Sequence, residues 1–323
     1  ISLKIAGVKS NDEVIVPSLT FIAPVNAIRY NNAYPIFFDS DNYFNLDVLK
    51  LVKFLDKNTF LKKGFCYNKK TKRRISAIIP VHVWGNGADI KNLLKACKKR
   101  NIKIVEDASE SLGTFYKKKY LKNRKHTGTV GDVGCISFNG NKIITSGGGG
   151  VIITNNKKIA KKADYLINQA KDNSFKFIHN EIGYNYKLTN IQAALGFAQL
   201  ENIEYFLKKK KEIYNYYKKK INNHKLFKIV ETPKYSQNNN WITILHIKKN
   251  IKNKLLDYLD KNNISCRPIW KLNHQQKPYL NFQNYELENC LSLFQKCICL
   301  PSSTSLSKKQ LIYIVEKINN FKI

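Results

Sequence analysis

Two stretches of this sequence hold side chains able to do covalent and acid–base chemistry. The first is Ile102-Lys-Ile-Val-Glu-Asp107-Ala-Ser-Glu-Ser-Leu-Gly113, an apolar strand pattern that runs into two carboxylates. Ligands of open α/β sheets bind beyond the carboxyl ends of strands, so an acid placed there can face a bound ring or cap a helix. The second is Cys135-Ile-Ser137-Phe-Asn-Gly-Asn-Lys142, followed by Ile-Ile-Thr-Ser and the glycines of 147–150. A lysine amine forms a Schiff base with a carbonyl when it is a free base, and glycines let backbone approach a ligand closely. The lysine precedes the glycines, so the phosphate-loop pattern GxxxxGK[ST] is absent, as is a GxGxxG opening a helix. Asp107 and Lys142 lie 35 residues apart, each just past a strand. A lysine for an aldehyde and an acid for a ring nitrogen are the pair that pyridoxal phosphate (PLP) chemistry needs, because the protonated pyridine acts as an electron sink.

The flanking sequence supplies the elements that must hold these residues. Residues 14–16, 34–38, 76–80, 102–105, 134–138 and 150–154 read as strands, and 21–31, 47–55, 89–100 and 157–170 as helices. The alternation predicts an α/β architecture with a parallel or mixed sheet. Residues 57–74 and 114–132 are polar and read as loops. A long helical stretch covers 189–217, with Thr189 as its cap. The polar segment 231–240, which carries Pro233, reads as a boundary. Beyond it, strands at 241–247 and 265–268 and helices at 250–262 and 307–321 predict a small α+β domain. The expected division is a large domain, 1–230, and a small one, 231–323. Residues 1–7 read as the end of a helix already under way, so a leading segment is expected to be missing.

The 323 residues carry 56 Lys+Arg against 23 Asp+Glu, a formal net charge of +33, and are 43% hydrophobic. That hydrophobic content supports a packed core and excludes wholesale disorder. No apolar run approaches the roughly 18 residues of a membrane helix, and residues 1–8 read as too short and too polar for a signal peptide; a soluble cytoplasmic protein is expected. The seven cysteines contain no CxxC spacing, so neither a disulfide framework nor a metal site is expected. Lysines are spread along the whole chain rather than gathered on one element, which reads as a solvated basic surface able to steer an anionic substrate. A dedicated nucleic-acid surface is not indicated.

With these motifs in place, the chain resembles the DegT/DnrJ/EryC1/StrS sugar aminotransferases. The likeness is carried by Val14-Ile-Val-Pro-Ser-Leu-Thr-Phe21, Ile79-Pro-Val-His82-Val-Trp-Gly85, Val105-Glu-Asp107-Ala, Ser137-Phe-Asn-Gly-Asn-Lys142 and Gly183-Tyr-Asn185-Tyr-Lys187-Leu. His126-Thr-Gly-Thr-Val-Gly-Asp132, Arg267-Pro-Ile-Trp270 with Asn273-His274, and Cys299-Leu-Pro-Ser-Ser303 resemble most the branch acting on UDP-linked 4-keto-6-deoxy amino sugars, of the bacillosamine and legionaminic acid type. The resemblance implies a PLP-dependent transferase of fold type I, a large domain with a mixed, mostly parallel sheet between helices plus a small α+β domain. It implies amino transfer, with glutamate as the expected donor, onto C4 of a nucleotide-linked 4-keto-6-deoxy sugar for surface glycans.

The roles it implies are specific. Lys142 would bond the cofactor aldehyde and move the proton. Asp107 would bond the pyridine nitrogen, Phe21 would stack on the ring, and Ser109 would lie near its other face. Ser137 would bind the cofactor phosphate. Asn185 or Lys187 would reach the cofactor of a neighbouring subunit, which requires a homodimer. His82, His126, Trp270 and His274 are candidates for the sugar-nucleotide side. Each has a packing role to weigh against this: His82 as a satisfied structural histidine, Phe21, Trp270 and His274 as packing residues, and Ser137 as a locally bonded strand hydroxyl. Two departures stand out. Relatives carry a small Gly-Thr/Ser phosphate-binding segment ahead of the point where this sequence starts, and Glu110 stands where relatives often have His or Gln. Alternatives are a truncated inactive member of the fold and a PLP-dependent sugar dehydratase, which Lys142 argues against because those enzymes carry His there.

Overall fold

The computed structural model describes residues 1–221, 224–248 and 250–322. Along the chain, helix α1 (Ser2–Ile5) leads into strand β1 (Glu13–Pro17), α2 (Ala23–Tyr30), β2 (Tyr34–Phe38) and α3 (Val48–Asn58). A hairpin of β3 (Thr59–Lys62) and β4 (Phe65–Asn68) precedes β5 (Ile75–Ile78), α4 (Ile90–Lys98) and β6 (Lys103–Asp107). Two short strands, β7 (Phe115–Tyr116) and β8 (Lys125–His126), precede β9 (Val133–Ser137), β10 (Gly150–Ile153), α5 (Lys157–Ile167), α6 (Asn190–Glu201) and α7 (Ile203–Ile221). The remaining elements are β11 (Phe227–Ile229), β12 (Ser236–Gln237), β13 (Ile244–Ile247), α8 (Lys252–Lys261), β14 (Arg267–Pro268), β15 (Asn284–Tyr285), α9 (Glu288–Lys296), β16 (Cys297–Cys299) and α10 (Lys308–Asn319).

A seven-stranded sheet in the order β10-β9-β6-β5-β1-β2-β15 forms the frame. It is parallel except for β10, which runs antiparallel to β9. Alternate residues of β1 serve opposite faces: Val14 and Val16 join one apolar cluster, and Ile15 joins another with α3 and α4. Helix starts follow the capping chemistry of the sequence. Asp47 and Asp89 accept backbone N–H groups at the starts of α3 and α4, and Thr189 with Gln192 and Ser307 with Gln310 form reciprocal caps on α6 and α10.

The structure differs from the sequence reading at several elements, the expected 114–132 loop among them, which carries β7 and β8. The polar stretch 57–74 folds into the β3–β4 hairpin, because Thr59–Lys62 and Phe65–Asn68 pair their backbones despite their charged tips. The helical stretch 189–217 is two helices, α6 and α7, divided at Asn202. The division at 230 is interleaved. β12 pairs with β7, and β15 joins the edge of the large sheet beside β2. In the other direction Ile213, Tyr214, Tyr217 and Ile221 of α7 pack into the cluster built on β11, β13, α8 and α10. The polar linker thus conceals β12, and β15 lies beyond it; the pairing of both is set at long range.

Candidate active site

Because β1, β5, β6 and β9 are parallel neighbours, their carboxyl ends share one edge of the sheet. That edge receives Phe21 after β1, Trp84 after β5, Asp107 and Glu110 at and after β6, and Lys142 after β9. A cavity of about 760 Å³ opens there, lined by Phe21, Trp84, Glu110, Lys142, Trp241 and Trp270 among others. Lys142 is half-buried, with its N–H bonded to the Asn139 carbonyl (3.1 Å) and its Nζ 4.5 Å from the centre of the Trp241 ring. Trp270 stacks on Trp84 with ring centres 5.0 Å apart, and Phe21 meets Trp270 edge-on at 6.2 Å. Phe21 is 53% exposed, so its ring is a wall of the cavity rather than core.

Trp84 holds a left-handed backbone conformation, φ 51° and ψ 28°. Bulky residues seldom adopt it, and it tends to persist where surroundings impose it near functional sites. Its buried indole N–H has no protein partner. Asp107 is half-buried, and its Oδ1 accepts the Ser109 N–H at 3.0 Å. Its backbone is bracketed by Pro80 and His82: its N–H donates to the Pro80 carbonyl, and its own carbonyl accepts the His82 N–H. The Ser137 hydroxyl oxygen accepts the Asn139 N–H at 3.2 Å, which ties it into the loop that presents Lys142 and leaves its own hydrogen to donate.

Three histidines predicted to face substrate do not line this cavity. His82 is fully buried; its Nδ1 accepts the Ala88 N–H at 3.0 Å, so Nε2 carries the hydrogen and donates to Glu106 at 2.9 Å. Burial alone would push the Glu106 carboxyl up. The His82 hydrogen bond and the amides of Gly131 and Gly128 outweigh that and hold it below the ordinary carboxylate value. This buried pair fastens the 128–131 turn to the strand that bears Asp107. His126 is likewise committed: Nε2 accepts the Gly113 N–H at 2.8 Å and Nδ1 faces the Thr127 carbonyl, with burial lowering its pKa. His274 bonds the Ser18 hydroxyl at 2.6 Å and does not line the cavity, and burial lowers its pKa too.

Asn185 and Lys187 stand apart from Lys142, in a second cavity of about 1220 Å³ beside β10 and α5, where Lys187 pairs with Asp164 at 2.8 Å. The sequence reading passed over three wall residues. Trp84 sat inside a quoted motif, and Trp241 carried no local signal. Lys210, one of a run of four lysines, is buried and bonded to the carbonyls of Trp241 (2.8 Å) and Ser302 (2.6 Å). Burial lowers its pKa to about 8. The seven cysteines are free thiols, none fully exposed.

The residues present fit pyridoxal phosphate. The cavity volume lies in the range of small-molecule sites, about 300–1,000 Å³. It offers an amine and flat aromatic walls, with an acid nearby at the end of β6. Fold and site define a PLP-dependent transferase of fold type I. The model of the DegT/DnrJ/EryC1/StrS aminotransferase family matches residues 1–319, and the chain belongs to that family. It is a sugar aminotransferase, and its cofactor is PLP.

The chain is 36% identical over 323 residues to the GDP-perosamine synthase of Escherichia coli O157:H7, spanning 99% of this chain and 82% of that protein. It is 30% identical over 326 residues to the GDP-perosamine synthase of Caulobacter vibrioides, spanning 99% and 81%. A crystal structure of a DegT DnrJ EryC1 StrS aminotransferase from Brucella abortus superposes with a TM-score of 0.87 at 24% identity, covering 98% of this chain and 81% of that one.

Proposed function

We propose that the chain transfers an amino group from glutamate to C4 of a nucleotide-linked 4-keto-6-deoxy sugar, acting as a homodimer. The observation that carries the reading is the Lys142 amine set among aromatic walls at the strand edge that also bears Asp107. When bound, the cofactor supplies an aldehyde and an electron-withdrawing ring. Lys142 holds that aldehyde and, once displaced by a substrate amine, moves a proton at the substrate carbon. Asp107 would keep the proton on the ring nitrogen, Phe21 and Ser109 would hold the ring, and the Ser137 hydroxyl would donate to the phosphate. Trp270 borders the space for the sugar.

The dimer reading is supported by α6, which has no buried residue although it carries Ile191 (84% exposed) and Phe197 (66%), and by the neighbouring Phe175 and Phe177, also exposed. Large apolar side chains left exposed along one helix suit an interface. Asn185 and Lys187 lie on the segment that leads into α6, which suits a role across that interface. Localisation in the cytoplasm accords with this chemistry; among the described residues no helix is long and apolar enough to cross a membrane.

The test adds PLP to the purified protein and records its visible band, then adds glutamate and follows loss of that band. Candidate 4-keto sugars are then supplied in both forms, because the motifs point to UDP-linked sugars whereas two relatives are named for GDP-perosamine. Amination of one of them that requires Lys142 supports the reading. Glutamate-supported amination that persists in Lys142→Ala overturns it.

A further inference from the structure

Under the reading above, the Lys142 cavity must seat two anions in turn. Glutamate brings a second carboxylate beyond the one beside its amine, and a nucleotide-linked sugar brings a diphosphate. Both must reach the same lysine, so both must occupy the same space. Drawing either charge out of water is costly unless a cation meets it. Among the described residues, three basic side chains line the cavity: Lys142, Lys210 and Arg267.

Two of the three have other work. Lys142 is assigned to the reaction itself, and Lys210 holds the carbonyls of Trp241 (2.8 Å) and Ser302 (2.6 Å). Arg267 is exposed, and among the described residues no hydrogen bond, ion pair or ring contact engages its guanidinium. Its place is nonetheless fixed by its backbone. Arg267 pairs with Cys299 and Pro268 with Ile298, which makes β14 the edge of the four-stranded sheet. On one side Cys266 packs against the small-domain cluster, and on the other Ile269, 2% exposed, belongs to the main cluster. Strand alternation therefore turns Arg267 away from the face that Cys266 occupies. Three residues on, Trp270 stacks on Trp84 at 5.0 Å and lines the same cavity. Ser303 and Thr304 add hydroxyls to that lining.

We propose that Arg267 is the shared anion anchor of this site. Its guanidinium holds a carboxylate of the amino donor in one half of the reaction and the diphosphate of the nucleotide sugar in the other. The planar fork suits either group, because each offers two oxygens to two parallel N–H donors. Two substrates that take the same contact exclude one another, as alternation at a single lysine requires. Arg267 binds substrate and does not touch the reacting atoms. The inference rests on the amino-transfer reading of Lys142 given above.

The experiment uses the PLP-loaded full chain and two probes that cannot react. Glutarate carries two carboxylates and no amine; inorganic pyrophosphate carries the diphosphate without sugar or base. Binding of each is followed by calorimetry in wild type, Arg267→Ala and Arg267→Lys. Wild type is expected to bind both, each displacing the other. Arg267→Ala is expected to weaken both about 10–100-fold, the worth of a charged hydrogen bond. Arg267→Lys keeps the charge without the fork, and is expected to recover part of both. In Arg267→Ala the visible band is expected to remain, while the glutamate concentration that halves it rises by a factor similar to that for glutarate.

Wild-type affinity of Arg267→Ala for either probe overturns the proposal, as does a wild type that binds both probes at once or binds neither. If Arg267→Ala fails to fold by thermal melting, the same criteria are applied to Arg267→Gln. A wild-type protein with no band, or a band that survives Lys142→Ala, overturns the reading of Lys142 and this proposal with it. A normal Lys142-dependent band with probe binding unmoved by Arg267→Ala overturns the proposal alone.

Discussion

Lys142 carries the proposed chemistry at the scale of single residues. Lys142→Ala is expected to cut glutamate-dependent amino transfer by about 10²–10⁴-fold or more, as read by 2-oxoglutarate release, with the melting temperature nearly unchanged because the side chain is half-buried and its backbone bond remains. Lys210 is expected to behave in the opposite way, as a structural lysine. Its folded pKa of about 8 lies below the 10.5 of the free side chain. Between those values the unfolded chain binds more protons than the native one, so native stability rises with pH across that window, whereas at lower pH the buried charge opposes folding. Lys210→Met leaves two carbonyls without their donor, a cost of about 1–3 kcal/mol, and abolishes that pH dependence. Its deficit in urea unfolding is therefore expected to be larger at high pH than at neutral pH, and an equal deficit at both would refute the assignment.

Elements set what these residues can reach. Gly85, beside Trp84, has φ +86°, and a Cβ there would lie 1.8 Å from Asn239 Oδ1. Asn239 cannot easily yield, because it bonds the carbonyls of Glu110 and Leu112 and the N–H of Trp241. Gly85→Ala is thus expected to cost about 2–3 kcal/mol in thermal or urea unfolding and to loosen the cavity wall. Helix α6 offers the complementary test. With no residue buried in the protomer, Phe197→Asp is expected to leave protomer stability within about 0.5 kcal/mol while abolishing self-association in sedimentation velocity. Retained association would remove α6 from the proposed interface.

The whole molecule contributes a field. A net charge of +33 raises the encounter rate with an anionic nucleotide sugar. The expected signature is kcat/KM falling as salt rises while kcat holds steady, because screening acts within about a Debye length, near 10 Å at 0.1 M. A flat salt profile would show that the lysines serve solubility alone.

How far the sequence reached differs with the range of the interactions involved. The strands at whose ends Asp107 and Lys142 lie, and the cap Thr189, were legible because each depends on a few neighbouring residues and their spacing. The four parallel strand ends follow from that pattern once crossovers are required. Tertiary structure decided the rest. It turned the side chains of His82 and His126 away from the cavity, because a ring nitrogen's partner is set by what packs against it. It brought Trp241 and the buried Lys210 to the site from beyond position 200, and it sent β12 and β15 back across the expected boundary, because strand pairing is a long-range choice that no local pattern encodes. Residue types and order determined which chemistry this chain can do; packing determined which of its candidate residues stand where that chemistry happens.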